Sequence, residues 1–193
     1  MIKVGLTGGI GSGKTYVSTV FNSLGIPIFN ADEFGKKAYT DPYIKKQVIT
    51  LFGERSFTDL GIDRNYIAEK VFNSKNLLEK LNHIIHPWVA KEFDIWTDNM
   101  SDKAYIIKEA AILFESGANV ALDKMICVHA PDNVRLNRVL TRDGGKSEDI
   151  LSRMKNQWPQ EEKMKMSDYL LNNDGINLVT PQVLNIHNRI IKQ

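Results

Sequence analysis

The chain has 193 residues, 42% of them hydrophobic and 25% charged, which is an ordinary composition for one globular α/β domain. The formal net charge is only +2, so overall charge gives no argument for a nucleic-acid partner, and any anion must be bound by a local cluster. No segment approaches the roughly 20 apolar residues that span a bilayer, and no secretion signal opens the sequence. We therefore expect a cytoplasmic protein with neither a membrane nor a nucleic-acid partner.

The first predicted strand, Ile2 to Leu6, leads into a glycine-rich segment, residues 8 to 15. Its spacing is that of a Walker A loop: Lys14 would place a cation on the β- and γ-phosphates, and the Thr15 hydroxyl would hold Mg²⁺. A helical pattern follows, whose N-terminus favours phosphate. A flexible glycine-rich turn is the alternative. The predicted nucleoside triphosphate site comprises Gly8, Gly9, Ile10, Gly11, Ser12, Gly13, Lys14 and Thr15.

The second predicted strand, Ile26 to Phe29, is followed by Asp32. This position predicts a carboxylate at the carboxyl edge of the sheet, where it can accept the proton of an acceptor hydroxyl that attacks the γ-phosphate. We predict that Asp32 is this base. The alternative is an N-cap of the next helix, and the two roles are compatible.

The interval from about Phe34 to Asn82 has mostly helical periodicity and no good strand signal. We interpret residues 34–82 as a helical insertion that binds the acceptor, with ordinary core helices as the alternative. A parallel sheet with such an insertion would place the acceptor near the carboxyl ends of the strands.

One residue of interest lies just after the third predicted strand, Tyr105 to Ile107, and another lies inside the fourth, Met125 to His129. Glu109 ends the third run, where P-loop proteins keep a carboxylate near the metal or the acceptor, and a solvated surface glutamate is the alternative. Cys127 lies inside the fourth run and has no cysteine partner in the chain. A buried core thiol in a reducing compartment is therefore favoured over a catalytic one.

Residues 131–163 are predicted to form a lid. Arg135, Arg138 and Arg142 fall at i, i+3 and i+7, which gathers three guanidinium groups on one side of a helix. Closing such a helix over a triphosphate would bring permanent cations onto the oxygens that carry the transition-state charge. A solvated basic face is the alternative.

Strands that alternate with helices predict an α/β fold, a three-layer α/β/α P-loop architecture with a mostly parallel five-stranded sheet. The fifth strand is weakly predicted at Asn177–Val179. The predicted core comprises residues 1–33, 83–130 and 164–193.

Several classes of P-loop protein fit less well. The chain lacks the Asn-Lys-x-Asp and Thr-Lys-x-Asp signatures of guanine recognition, and it is short for a motor or transport ATPase. A small-molecule kinase fits best. A kinase for another acceptor, such as a nucleoside monophosphate or a sugar acid, and a non-catalytic nucleotide-binding protein remain as alternatives.

The sequence resembles the dephospho-coenzyme A kinase family over nearly its whole length. The resemblance lies in an ordered series of motifs: Leu6 to Thr15, Asn30-Ala31-Asp32, Asp63-Arg64, His86-Pro87, Leu113-Phe114-Glu115, Arg138 to Asp143, Arg153 with Gln157, and Ser167 to Asn173. Arg135 lies outside the family pattern, so any role for it depends on helical spacing alone.

This resemblance implies the last step of coenzyme A synthesis, with ATP and Mg²⁺. It implies that Arg142 and Asn173 lie near the nucleotide and that lid arginines, Arg138 among them, cover the phosphates. Dephospho-coenzyme A would present its ribose 3′-hydroxyl to Asp32, and Arg64 and His86 would help to bind it, with a packed core histidine as the alternative for His86. Glu109, from its position after the third strand, is the further acceptor-side residue.

Overall fold

The computed structural model of the chain describes residues 1–72 and 74–192; Asn73 and Gln193, which fall in the predicted insertion and core, lie outside them. The strands are, in chain order, β1 (Ile2–Thr7), β2 (Ile28–Asn30), β3 (Phe57–Thr58), β4 (Gly61–Ile62), β5 (Tyr105–Glu109), β6 (Lys124–His129) and β7 (Tyr169–Asn172). The α-helices are α1 (Lys14–Ser23), α2 (Ala31–Ala38), α3 (Pro42–Phe52), α4 (Arg64–Phe72), α5 (Lys75–Asp98), α6 (Asp132–Asp143), α7 (Ser147–Lys155), α8 (Gln160–Lys165) and α9 (Val179–Ile190).

The described residues form two compact units. One comprises Met1–Asn30 together with the chain from Met100 onward, and the other comprises Ala31–Asn99. The first unit contains the large sheet, and the second is mostly helical.

The sheet of the first unit has the strand order β2-β5-β1-β6-β7, and its four pairings are parallel. Ile2 lies opposite Tyr105 on one side of β1, and Val4 lies opposite Lys124 on the other. Strand β1 therefore lies between β5 and β6, two strands that come much later in the sequence. In such α/β sheets, ligands bind at the carboxyl end of this central strand. The predicted α/β fold with a five-stranded, mostly parallel sheet is confirmed.

The predicted position of the fifth strand is wrong. The strand is Tyr169–Asn172, whereas Asn177 lies in a turn held by Asp174 and Val179 begins α9. The true strand has only four residues, of which Tyr169 and Leu171 are buried and the other two are exposed. Such a short edge strand has little apolar periodicity to detect.

One face of the sheet packs against α1 and α9. Alternate residues of each long strand point to this face, as the two-residue period of a strand requires. The buried cluster contains Val4, Leu6, Val17, Phe21, Tyr105, Ile107, Ile126, Val128, Tyr169, Leu171, Val183 and Ile186 among its members.

Cys127 points to the opposite face of the sheet, since its neighbours Ile126 and Val128 belong to the first cluster. The thiol is fully buried, and this burial raises its pKa to about 11. Lys163 of α8 and Arg135 of α6 are near enough to act on that thiol electrostatically, so these helices lie on the second face. The prediction of a buried core thiol is confirmed.

In the second unit, α2, α3 and α4 each pack on the 24-residue helix α5. The predicted boundary between residues 82 and 83 falls inside α5, and the unit continues to Asn99. The apolar residues Leu81, Ile85, Val89 and Phe93 recur every four residues and are buried, so one helix face continues through Pro87. No described helix, α5 included, combines the length and apolarity needed to cross a membrane.

The sequence pattern also missed a two-stranded antiparallel pair, β3 with β4, in which Phe57 lies opposite Ile62. Each strand has two residues, too few to show the alternation that identifies a strand.

Candidate active site

The loop from Gly8 to Gly13 joins the central strand β1 to α1 at the carboxyl edge of the sheet. Gly11 and Gly13 have φ values of 79° and 88°, in the left-handed region that favours glycine. A Cβ atom at Gly11 would overlap the Arg135 backbone, and one at Gly13 would overlap the Asn173 amide. Both glycines are therefore needed for the observed backbone and for the close approach of its neighbours.

The loop ends on the N-terminus of α1. Gly13 precedes the helix and contributes no side-chain cap, so the N–H groups of the first turn are suited to an anion. Lys14 Nζ donates to the Gly8 carbonyl oxygen at 2.9 Å, and Thr15 is exposed. These features together form a phosphate-binding loop.

The loop tip, Ile10, is held by two side chains from residues 131–163. Its N–H donates to Gln157 Oε1 at 2.8 Å, and its carbonyl oxygen accepts from Arg135 Nε at 2.9 Å. Arg135 is buried and also pairs with Asp132 at 2.8 Å. Burial lowers the pKa of the Arg135 guanidinium, and Asp132 opposes that shift. Arg135 therefore supports the loop backbone rather than extending freely from the exposed face of a lid.

Two predicted site residues, Arg138 and Asn173, meet at the carbonyl oxygen of Ser12. Asn173 Nδ2 donates to this oxygen at 2.9 Å, and an Arg138 Nη atom reaches it at 3.5 Å. Arg138 also donates to the backbone oxygen of Asn173 at 2.8 Å. Backbone N–H groups of Asn177 and Ile176 donate to Asp174, which lowers the Asp174 pKa to about 2 and fixes the turn after Asn173.

Arg142 is placed differently from the other two arginines of α6. It is exposed and forms a two-point pair with Asp143, Nε to Oδ1 at 2.6 Å and an Nη atom to Oδ2 at 2.8 Å. This hydrogen bonding raises the Arg142 pKa. Arg153 reaches the same carboxylate at 3.7 Å. The three arginines of α6 therefore differ in exposure: Arg135 is buried and supports the loop, whereas Arg142 is exposed and pairs with Asp143.

Glu109 is buried at the carboxyl end of β5, so the alternative of a solvated surface glutamate is wrong. Its Oε2 atom accepts a hydrogen bond from Ser18 Oγ of α1 at 2.6 Å. The carboxylate is thus oriented by the helix that begins at the phosphate-binding loop.

A buried ion pair supports the same region. Lys163 is fully buried, and its Nζ atom lies 2.6 Å from Glu115 Oε1 and donates to the Ala111 carbonyl oxygen at 2.8 Å. The same Glu115 oxygen accepts from the Trp158 N–H at 2.9 Å. This contact joins the turn after β5 to α8 and to the segment that carries Gln157.

Replacing Lys163 with methionine is expected to lower the free energy of unfolding by about 3 kcal/mol, because the Glu115 carboxylate, whose side chain is only 14% exposed, would lose the cation that balances its charge. Urea denaturation followed by circular dichroism measures the change. Lys165→Met on the same helix is the matched control, since Lys165 forms an exposed pair with Glu162 at 2.9 Å and such pairs contribute little. Equal losses in the two variants would contradict the importance of the buried pair.

The second unit holds the remaining predicted residues. Asp32 is exposed and is the second residue of α2, not the residue that precedes it, so the N-cap alternative is wrong. Arg64 begins α4 and is exposed, close enough to Tyr39 to lower that residue's pKa against the stronger effect of burial, which raises it. His86 lies half-buried on α5, the helix on which α2 and α4 pack.

The sequence predicted Arg135 as a lid arginine facing the triphosphate, whereas it is buried against the loop backbone, and it gave Gln157 no contact with the loop. The helical period that pairs Arg135 with the buried Val139 could have indicated an inward position. Gln157 lies 147 residues from its loop partner, in a segment between helices, so no local pattern signals its contact.

The sequence was compared with known families and proteins. The family model described as dephospho-CoA kinase matches residues 2–178. A dephospho-CoA kinase of Bacteroides fragilis is 37% identical over 186 residues, which cover 96% of this chain and 91% of the relative. The dephospho-CoA kinase of Aquifex aeolicus is 37% identical over 177 residues, covering 91% and 90%.

Solved structures agree with the fold. A Thermus thermophilus protein superposes with a TM-score of 0.85 at 28% identity, covering 99% of this chain and 96% of its own. The dephospho-CoA kinase of Campylobacter jejuni gives a TM-score of 0.70 at 25% identity, covering 98% and 97%. With a matching family model over most of the chain and relatives above one-third identity, this chain belongs to the dephospho-CoA kinase family.

Proposed function

We propose that this kinase transfers the γ-phosphoryl group of ATP to the ribose 3′-hydroxyl of dephospho-coenzyme A, which gives coenzyme A and ADP in the last step of coenzyme A biosynthesis. The observation that carries the proposal is the phosphate-binding loop between β1 and α1, in a chain that matches the family over residues 2–178. Its single cysteine is buried and has no internal partner, which supports the cytoplasmic location that the sequence predicts.

The triphosphate would lie on the backbone of residues 8–15. N–H groups at the start of α1 would bind phosphate oxygens. The Lys14 ammonium would leave the Gly8 carbonyl oxygen and donate to phosphate oxygens instead. Arg138 is already close to the loop through Ser12 and Asn173. Arg142 would reach the nucleotide by giving up Asp143, a small loss because exposed ion pairs contribute little.

The residues present fit a magnesium ion that is shared with the nucleotide. The described part of the chain contains no group of three or more His, Cys, Asp or Glu side chains that could hold a metal, whereas Mg²⁺ in kinases needs only one or two protein oxygens beside phosphates and water. The exposed Thr15 hydroxyl would be that oxygen. When bound, the ion neutralises charge on the β- and γ-phosphates.

The acceptor would be bound by Asp32, Arg64 and His86 of the helical unit, with Glu109 as an additional acceptor-side carboxylate. In the reaction, the 3′-oxygen forms a bond to the γ-phosphorus while its proton passes to the Asp32 carboxylate, and the bond from the γ-phosphorus to the ADP oxygen breaks. Closure of a lid formed by residues 131–163 would exclude water and so suppress hydrolysis of ATP.

The test is ADP release from the purified protein with ATP and Mg²⁺, measured in parallel with dephospho-coenzyme A, nucleoside monophosphates and sugar acids. We expect stimulation by dephospho-coenzyme A alone and a product heavier by one phosphoryl group by mass spectrometry. Stimulation by another acceptor would show that the proposed substrate is wrong and that the assignment of kinase activity is right. If none of these acceptors increased ADP release, the proposal would give way to a nucleotide-binding role.

A further inference from the structure

The two backbone polar groups of Ile10 are fixed by residues outside the phosphate-binding loop. Gln157 Oε1 accepts from the N–H at 2.8 Å, and Arg135 Nε donates to the carbonyl oxygen at 2.9 Å. The N–H belongs to the peptide between residues 9 and 10, and the carbonyl belongs to the peptide between residues 10 and 11. The two side chains therefore set the orientation of both peptide planes at the loop tip.

The backbone next to Gln157 is held in place by contacts of Trp158 with Phe114 and Glu115. Gln157 lies between α7, which ends at Lys155, and α8, which begins at Gln160. The next residue, Trp158, donates its N–H to Glu115 at 2.9 Å, and its ring stacks on Phe114 with a centroid separation of 6.2 Å and an interplanar angle of 8°.

Lys163 holds the Glu115 side chain of this contact in place. Fully buried, it binds the Glu115 oxygen that accepts from Trp158. The backbone next to Gln157 is thus hydrogen-bonded to the turn after β5. The Gln157 side chain therefore extends to the loop tip from a backbone position that these contacts hold.

We propose that Gln157 is a positioning residue for the kinase reaction: its carboxamide oxygen holds the Ile10 N–H so that the loop keeps the shape that receives the nucleotide phosphates. This inference depends on the proposed function in that it takes the loop to bind ATP. A loop ordered before binding loses less conformational entropy when the phosphates arrive. The contact therefore acts on nucleotide affinity and leaves acceptor affinity unchanged.

Two variants remove the contact in different ways. Gln157→Met keeps the length of the side chain and removes the acceptor oxygen, and Gln157→Asn keeps the carboxamide but is one methylene shorter. Loss of one hydrogen bond to the loop should raise KM for ATP and Kd for ADP about five- to tenfold. We expect KM for dephospho-coenzyme A to stay within twofold of the wild-type value, and Tm to fall by less than about 4 °C.

Gln182→Met is the matched control. Gln182 Oε1 accepts a backbone N–H from Asn172 at 2.9 Å, at the end of β7, and its Nε2 donates to the carbonyl oxygens of Asn172 and Leu178, each at 2.9 Å. The same carboxamide is thus lost at a different backbone segment, together with at least as many hydrogen bonds. Steady-state kinetics give the two KM values, and titration calorimetry with ADP gives Kd without turnover. We expect the Gln182 variant to keep the wild-type values.

The outcomes separate the inference from the proposed function. ADP affinity within twofold of wild type in both Gln157 variants would overturn the inference, as would an equal loss in Gln182→Met or an equal rise in both KM values. If Gln157→Met does not fold, the same readouts on Gln157→Asn decide. A wild-type protein that fails to phosphorylate dephospho-coenzyme A would contradict the proposed function, and the ADP titrations would still decide the role of Gln157.

Discussion

Replacement of Lys14 by alanine is expected to lower kcat by about 10²–10³-fold, the effect of removing one donor aimed at developing charge in a transition state. Lys14 begins α1 and already points back over the loop, where its Nζ atom donates to the Gly8 carbonyl oxygen at 2.9 Å. In the proposed complex the ammonium would exchange that oxygen for the β- and γ-phosphates. Negative charge shifts among these groups during transfer, so the transition state should lose more stabilisation than the bound ATP.

The measurement is ADP release at saturating ATP and dephospho-coenzyme A, with Tm determined beside it. The variant loses a hydrogen bond within the loop, so we expect a fall in Tm of only a few degrees. Lys165→Ala is the matched control, because it removes one positive charge from an exposed position on α8. A near-normal kcat in the Lys14 variant would be incompatible with phosphate binding on this loop.

The parts of the fold that the sequence predicts well are those determined by local chemistry. Gly11 and Gly13 occupy left-handed backbone at the point where β1 turns into α1, and that requirement is visible as glycine in the sequence. The long strands are apolar runs because both faces of a parallel sheet are covered. Local pattern therefore located β1, the loop and the start of α1.

Contacts between residues that are far apart in the sequence were harder to predict. Glu109 was correctly located at the end of a strand, but its hydrogen-bond donor, Ser18 of α1, lies 91 residues away in the sequence. Arg142 shares a helix side with Arg138 by spacing, yet it pairs with its neighbour Asp143. An exposed side chain takes whichever partner is within reach, and helical periodicity does not specify that choice.

Helix α5 shows how packing overrides a local break signal. Pro87 lies inside the helix and removes one backbone hydrogen bond. The buried face nevertheless continues from Ile85 to Val89, and burial of the apolar stripe from Leu81 to Phe93 offsets the loss. The apolar stripe is visible in the sequence, whereas no local pattern identifies the helices that cover it, α2, α3 and α4.

Asp32→Asn is expected to lower kcat by about 10²-fold or more, because an amide of nearly the same size cannot take the proton of the attacking hydroxyl. Asp32 follows β2 by two residues and lies exposed in the first turn of α2, so the substitution disturbs no buried contact. Nucleotide binding should be unaffected, and KM for ATP and Kd for ADP should stay near the wild-type values. The predicted loss is thus confined to the transfer step.

The neighbouring Glu33 provides a matched control for this loss. Both carboxylates lie in the first turn of α2, where negative charge favours the helix N-terminus, so Glu33→Gln removes the same charge from the same turn. Single-turnover transfer to dephospho-coenzyme A should be slow in Asp32→Asn and near normal in Glu33→Gln. Equal losses would mean that the charge supports the helix, and an unchanged rate in Asp32→Asn would remove Asp32 from the role of base. A selective loss supports proton transfer at that one carboxylate, because helix, charge and size are otherwise matched.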